Sequence, residues 1–406
     1  MKNKILKKIN PSDSEKNKVK STLKELKEKI TKNIQKNNVS AKIIVGGSIA
    51  KGTWLQGISD IDLFLQFKKN KNLSTITKKI LKDFNPERVK GSRDYFNFIY
   101  NDFEIEVVPV LEIKKAEEAK NITDISPLHV NWIKKRIKDK KITRDIKLTK
   151  VFLKAQKCYG AESYIKGFSG HVTDILIYYY GSFEKFLKNA SKWKPKVFID
   201  PENHYKNKEE ALKKMNSSKI HSPVIVVDPI QPERNAAAAL RKEKFEILIK
   251  SAKKYLKNPK DSFFEEQRIT LEDLKNTKNK LIVLESKPNK KRKDIAGSQL
   301  LKRFQTIKRK LKENDFKILD SGWQWYPKEK AIFWFYFPKK ELSEIKKHLG
   351  PPLKIDKESI KKFKNKWKDV KKDSSRYYTF VKRKYTKPED LIKKIKNVKI
   401  ILNYEK

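Results

Sequence analysis

The sequence predicts a multidomain α+β fold. Helical and strand periodicities both run through the 406 residues, and 37% hydrophobic content, including 7 Trp, 21 Phe and 15 Tyr, is enough for two to four separate cores. A hairpin signal at Asn101-Asp102, between two apolar runs, points to antiparallel pairing. Glycine is scarce, 12 in all, yet eight of them fall in two patches, 46–57 and 160–181, where the backbone has a special task.

In order, a first helix is signalled by Ser12 and Glu15 as a capping box, followed by Val19, Leu23, Leu26, Ile30 and Ile34 at helical spacing. Ala41–Val45 reads as a short strand entering the first glycine patch, and Asp60–Phe67 as the next strand. Residues 96–100 and 103–110 form the hairpin, and Pro109 suggests that the second of these is an edge strand or ends there. A helix opens at Ser126-Pro127 and runs to about residue 140; a second covers 143–157. The second glycine patch flanks an apolar helix over 172–180. Residues 191–222 read as polar and irregular, 223–230 as a strand, and an alanine-rich helix is expected from Glu233. The basic run KPNKKRK at 287–293 reads as a linker or an RNA-facing loop. After it come a helix over 299–313, strands over 316–326 and 331–337, and a helix over 340–348 that ends at Gly350-Pro351-Pro352. The remainder mixes basic helices with an aromatic-basic strand at 376–385.

Lys and Arg total 98 against 49 Asp and Glu, a formal charge of +49. Such a field suits a polyanion, above all nucleic acid. A lysine-rich proteome bias would account for part of the excess. The single cysteine, Cys158, excludes an intrachain disulfide and a cysteine-based zinc site. No apolar run is long enough for a signal peptide or a membrane span, so a cytoplasmic protein with no membrane partner is expected.

Within 60–67 the acids Asp60 and Asp62 share one face of a strand, roughly 6–7 Å apart, while Ile61, Leu63 and Leu65 take the other. Two acids so close repel unless a cation lies between them, and Mg²⁺ is the usual one beside a phosphate. Glu106 on the 103–110 strand is the first candidate for a third carboxylate and Glu104 the second. The glycine turn at Gly46 and Gly47 lets backbone amides approach a triphosphate, with Ser48 and Lys51 offering a hydroxyl and a charge.

These residues, GGSIAKGTWLQGISDIDLFLQF, resemble the signature of the DNA polymerase β nucleotidyltransferase superfamily. FEIEVVPV, SPLHVNWIKKRI, CYGAESYIKGFSGHVTDILIYYYGSF and VVDPIQPERNAAAAL narrow the resemblance to the archaeal, class I CCA-adding enzymes. It covers most of the chain and extends more weakly to HLGPP and TKPEDL. It implies a polymerase β-like nucleotidyltransferase head with a mixed sheet (1–142), a helical neck that recognises the base (143–257), a tRNA-binding body (258–290 and 353–406) and a tail for the tRNA elbow and T arm (291–352). The implied reaction is template-independent addition of C, C and A to the 3′ end of tRNA from CTP and ATP, releasing pyrophosphate, with two Mg²⁺ ions. One ion would lower the pKa of the RNA 3′-hydroxyl and the other would neutralise the triphosphate.

By the same resemblance, Asp60, Asp62 and Glu106 hold the metals. Gly47, Ser48, Lys51, His129, Lys150 and Tyr159 bind the nucleotide's phosphates, and Arg234 hydrogen-bonds the base. On the residues alone His129 could be a helix-cap histidine, Lys150 solvated, Tyr159 core, and Arg234 paired with Asp228 or Glu233. The chain departs from the family pattern with Glu106 where Asp is usual, Lys51 where Arg is frequent, and an end soon after TKPEDL. The tRNA acceptor stem and T arm are the implied partners, and a homodimer is left open. Of the aromatic strand FWFYF at 333–337 at least half is expected in a core, so RYYTFVKRKY at 376–385 is the better RNA-contact candidate. Two other readings share the fold: a poly(A) polymerase-like enzyme and a non-catalytic RNA-binding protein.

Overall fold

The computed structural model describes residues 2–58, 60–69, 72–289, 292–327 and 329–405. Lys290 and Lys291 of the basic run at 287–293 lie outside the described residues. The chain forms two compact units, Met1–Gln267 and Arg268–Lys406.

In the first unit α1 (Lys2–Ile9) precedes α2 (Asp13–Lys36). The capping box is made: Ser12 Oγ accepts the Glu15 amide at 3.1 Å, and Glu15 Oε2 accepts the Ser12 amide at 2.8 Å. Val19, Leu26, Ile30 and Ile34 are buried on one face of α2, against Ile61, Leu63 and Leu65. Full burial of each such side chain contributes roughly 1.5–3 kcal/mol. The next elements are β1 (Ala41–Val45), a single helical turn α3 (Gly47–Ala50), β2 (Asp60–Phe67), α4 (Leu73–Ile80), β3 (Glu87–Val89), β4 (Tyr95–Tyr100) and β5 (Phe103–Leu111). They build a five-stranded sheet in the order β1-β2-β5-β4-β3. Only β2 and β5 are parallel; the other pairs are antiparallel. The β4–β5 hairpin turns at Asn101 and Asp102, whose φ values of 48° and 67° suit these residue types.

Pro109 does not mark an edge. β5 is central, paired with β2 along its length. The β4 ladder, however, ends at Phe96↔Val107, so the missing proline N–H falls beyond it.

The helices α5 (Ser126–Arg136), α6 (Lys140–Ala155), α7 (Gly170–Tyr180) and α8 (Phe183–Ala190) follow. The stretch read as irregular carries β6 (Val197–Ile199) and α9 (Lys208–Lys214), and β6 pairs in parallel with β7 (Val224–Val226). α10 (Lys242–Lys257) packs its Phe245 with Ile146, Phe152, Leu176, Phe183 and Phe186 in the largest core.

The helix expected from Glu233 is absent. Asn235 Oδ1 accepts the amides of Val226 at 3.0 Å and Ala237 at 2.9 Å, and Asn235 Nδ2 donates to the Lys219 carbonyl at 3.0 Å. This holds 232–239 in turns around an isolated bridge at Asn235. The side chain has outbid the alanines' helix propensity.

The second unit contains α11 (Leu271–Lys275), β8 (Lys280–Ser286), α12 (Lys293–Glu313), β9 (Asp320–Gln324), β10 (Ala331–Phe337), β11 (Ile345–Pro352), α13 (Lys357–Lys366), β12 (Lys371–Lys372), β13 (Arg376–Lys382), α14 (Pro388–Lys393) and β14 (Lys399–Tyr404). One sheet runs β14-β8-β10-β9 and another β11-β13-β12. The first takes β8 and β14 from 258–290 and 353–406, and β9 and β10 from 291–352. The aromatic strand β10 is core on both faces, Phe333, Phe335 and Phe337 on one and Trp334 on the other.

The helix expected over 340–348 is instead the strand β11, paired antiparallel with β13 from Ile345↔Lys382 to Leu349↔Tyr378. Leu342, Ile345 and Leu349 have helical spacing, but Ile345 and Leu349 are 56% and 53% exposed. With no apolar face to bury, pairing to β13 decides the conformation.

Candidate active site

The parallel register of β2 with β5 sets Asp60 opposite Glu104 and Asp62 opposite Glu106, so four acids share one face of the sheet. Asp60 and Glu104 are exposed, whereas Asp62 and Glu106 are half-buried. Asn97 continues the row on β4, opposite Glu106. Burial first, and then the nearby Asp60 charge, push the Asp62 carboxyl up to about 6, while Lys51 pulls the other way. The turn after β1 crosses this face closely. The Gly46 amide donates to the Asp62 carbonyl at 2.8 Å, and a Cβ on Gly47 would lie 1.7 Å from Asp62 Oδ2. Gly47 also has φ +55°, a conformation that glycine adopts at little cost.

These hard oxygen donors, with a destabilised charge on Asp62, fit a divalent cation of the Mg²⁺ kind. They are not drawn into a tight cluster. Among the described residues, one group of three brings its ligand-type atoms within 4.8 Å of one another, and it is His129, His171 and Asp228.

The lysines meet in the interior. Lys51, at the end of α3, donates to Asp174 Oδ2 on α7 at 2.9 Å. Lys150 on α6 donates to Thr53 Oγ1 at 2.9 Å and to its carbonyl at 3.1 Å, and lies 4.0 Å from Asp174 Oδ1. Burial lowers the Lys150 ammonium to about 8; Asp174 opposes this, and Lys51, Lys154 and Lys147 add to it. Ser48 stands half-buried in α3, and its carbonyl accepts the Thr53 amide at 3.0 Å. Tyr159 is held by a bridge to Phe168, and burial, followed by the charges of Asp174, Glu162 and Asp60, raises its phenol. A Cβ on Gly170 would lie 2.9 Å from the Tyr159 hydroxyl, and one on Gly167 would lie 2.0 Å from the Cys158 carbonyl. The glycines of KGFSG therefore make room for the strand-like segment that carries Tyr159.

The third cluster centres on Asp228. His129 Nε2, in the first turn of α5, lies 2.7 Å from Asp228 Oδ1, and His171 Nε2 on α7 lies 3.4 Å from Oδ2. Arg234 Nη1 donates to Oδ2 at 2.8 Å, and the amides of Ile230 and Gln231 donate to Oδ1 at 3.0 and 3.1 Å. Burial alone would raise the Asp228 carboxyl, but the hydrogen bonds from His129 and His171 hold it well below the usual range. Burial takes His171 down to about 4, which keeps its imidazole neutral at pH 7. Arg234 is thus paired with Asp228, yet its side chain is 39% exposed and a guanidinium carries five donors.

All ten residues named from the sequence lie in the first unit, in three groups: the acids with Gly47, the lysines with Ser48 and Tyr159, and His129 with Arg234. Sequence reasoning missed Thr53, His171 and Asp174, and met Asp228 only as a partner for Arg234. A signal existed for Asp174, the one acid in the apolar helix α7.

Three stretches match family models. Residues 23–153 match the nucleotidyltransferase domain, 144–265 the second domain of tRNA nucleotidyltransferase, and 278–401 the C-terminal domain of the CCA-adding enzyme. A CCA-adding enzyme of Nanoarchaeum equitans is 34% identical over 349 residues, 85% of this chain and 84% of its own length. One of Methanosarcina mazei is 32% identical over 412 aligned residues, 96% of this chain and 87% of its own. Among solved structures, the Cid1 poly(U) polymerase aligns with a TM-score of 0.54 at 12% identity, over 66% of this chain and 98% of that one. A cytoplasmic RNA terminal U-transferase aligns with a TM-score of 0.51 at 14% identity, with the same coverage. Both are likenesses of fold.

Proposed function

The chain belongs to the CCA-adding enzymes, tRNA nucleotidyltransferases with a polymerase β-like head, and from that membership we propose how its own residues extend tRNA. The substrates are CTP, ATP and a tRNA 3′ end. The observation that carries the assignment is the in-register pairing of Asp62 with Glu106 beside Gly47.

Asp60, Asp62 and Glu106 would hold two Mg²⁺ ions. Bound there, the metal supplies Lewis acidity to the 3′-hydroxyl and charge neutralisation to the triphosphate. The amides of the Gly46–Gly47 turn, Ser48, Lys51, Lys150, Tyr159 and His129 bind and orient the triphosphate. Asp228 accepts from His129 Nε2, which orients the imidazole in the first turn of α5. Arg234 presents its remaining donors to the base. The arginine thus serves a pairing role and a reading role from one position.

The first unit carries the head and neck functions, and the second grips the acceptor stem and T arm. β13 supports this division: Lys347 Nζ lies 3.9 Å from the centroid of the Tyr378 ring, and Phe380 is exposed with Lys371 nearby. Basic groups give phosphate affinity, and exposed rings give stacking.

The test is one gel. Purified protein with tRNA lacking CCA, Mg²⁺, CTP and ATP is expected to extend it by three nucleotides, and Asp62→Ala to abolish extension. Long A tracts would instead indicate a poly(A) polymerase-like activity, and binding without incorporation a non-catalytic protein.

A further inference from the structure

We propose that Asp174 is a positioning residue for nucleotide binding: one buried carboxylate that holds the ammonium groups of Lys51 and Lys150 together and so sets the place and charge of the pair that meets the triphosphate. The proposal rests on the reading above that these two lysines face the nucleotide.

The argument starts from an imbalance. Two lysines from different elements, Lys51 after α3 and Lys150 in α6, bring their ammonium groups into the interior, with side chains 12% and 5% exposed. Like charges repel, and burial favours the neutral amine. Asp174 is fully buried and offers one oxygen to each. Its contacts are unequal. Oδ2 accepts a hydrogen bond from Lys51, while Oδ1 makes none and faces Lys150 at 4.0 Å, because Lys150 donates to Thr53. Asp174 therefore fixes Lys51 by direct bonding and acts on Lys150 mainly through charge. The charged groups around Lys150 are Asp174 on α7, Lys51 from the head, and Lys154 and Lys147 on its own helix. Asp174 is the one that favours the ammonium form.

A purely structural ion pair would change thermal stability alone. A positioning role changes the pH dependence of nucleotide affinity. Lys150 loses its proton near pH 8, so affinity is present below that pH and falls as pH rises through it. Removing Asp174 leaves the repulsion of the other lysines and moves the fall to lower pH. Nucleotide phosphates are fully ionised by then and do not contribute a limb there.

The experiment measures CTP binding by calorimetry with Mg²⁺ and no tRNA, from pH 6.5 to 9.5, on the full chain. Wild type is expected to weaken through about pH 8. Asp174→Asn should have its fall shifted to lower pH by about one unit or more, the effect of one charge at 4–6 Å, and so bind roughly threefold or more weakly at pH 7.5. Asp174→Glu should restore part of the loss. A folded Asp174→Asn with the wild-type profile, or one weakened equally at every pH, overturns the proposal. Should Asp174→Asn fail to fold, Lys150→Arg decides: the limb near pH 8 should vanish with a group that does not titrate, and its persistence overturns the proposal. Binding is read without extension, so a protein that takes up CTP but adds nothing to tRNA fails the functional reading and leaves this comparison standing.

Discussion

A methyl group at position 47 would occupy the space of the Asp62 carboxylate, and that carboxylate is itself pushed up to about 6 by burial and Asp60. The residue is costly where it stands. Its raised value means that its relative contribution to stability is full below about pH 4 and is lost as pH rises through about 6. Asp62→Asn is therefore expected to be more thermally stable than wild type in EDTA at pH 8, with the gap closing toward pH 4, while extension is lost. Melting curves at the two pH values check this. The acids were legible because alternation alone places Asp60 and Asp62 on one strand face and Glu106 on the neighbour's. Asp174 carried a signal as the acid of an apolar helix, but its partner Lys51 lies 123 residues before it, and His171 meets Asp228 57 residues on, so neither pairing was legible.

At the scale of elements, α7 organises the site. Ser169 caps it, accepting the Val172 amide at 3.1 Å, and Gly181 ends it with φ +79°. Three residues apart near its start, His171 reaches Asp228 and Asp174 reaches the lysines. The glycines before it differ in what they spare. At Gly167 the obstacle to a Cβ is the Cys158 backbone, whereas at Gly170 it is the tip of Tyr159. Gly167→Ala should thus cost about 1–3 kcal/mol, as overpacking does, and more than Gly170→Ala; Gly170→Ala should instead weaken nucleotide binding by moving Tyr159. Denaturation and CTP titration separate the two. Elements with a private signal, the α2 capping box, the Asn101-Asp102 turn and Pro127 at the start of α5, were readable. The alanine run after Glu233 and the stretch 340–348 were not. In the first, a single asparagine side chain replaces helical hydrogen bonds; in the second, the partner strand β13 supplies them from outside.

Over the whole molecule, 98 basic against 49 acidic residues give the charge on which the proposed grip of tRNA rests. If about six phosphates are neutralised, the affinity for tRNA should fall roughly a thousandfold between 50 and 200 mM salt. A filter-binding series reads the slope, and a flat one would remove the electrostatic account. Affinity for CTP measured in the same series should change far less, since its partners are mostly buried. The charge was plain in the sequence, and so was the grouping of 258–290 with 353–406, but the entry of β9 and β10 from 291–352 into the same sheet was not, because nothing local to β10 names β8 as its partner. The Lys51–Asp174 bridge carries a consequence for synthesis. A ribosome that has delivered the glycine turn and the acids at 60, 62 and 106 has not yet delivered α7, so the Lys51 ammonium acquires its buried carboxylate partner, Asp174, only after more than a hundred residues beyond Lys51 have been made.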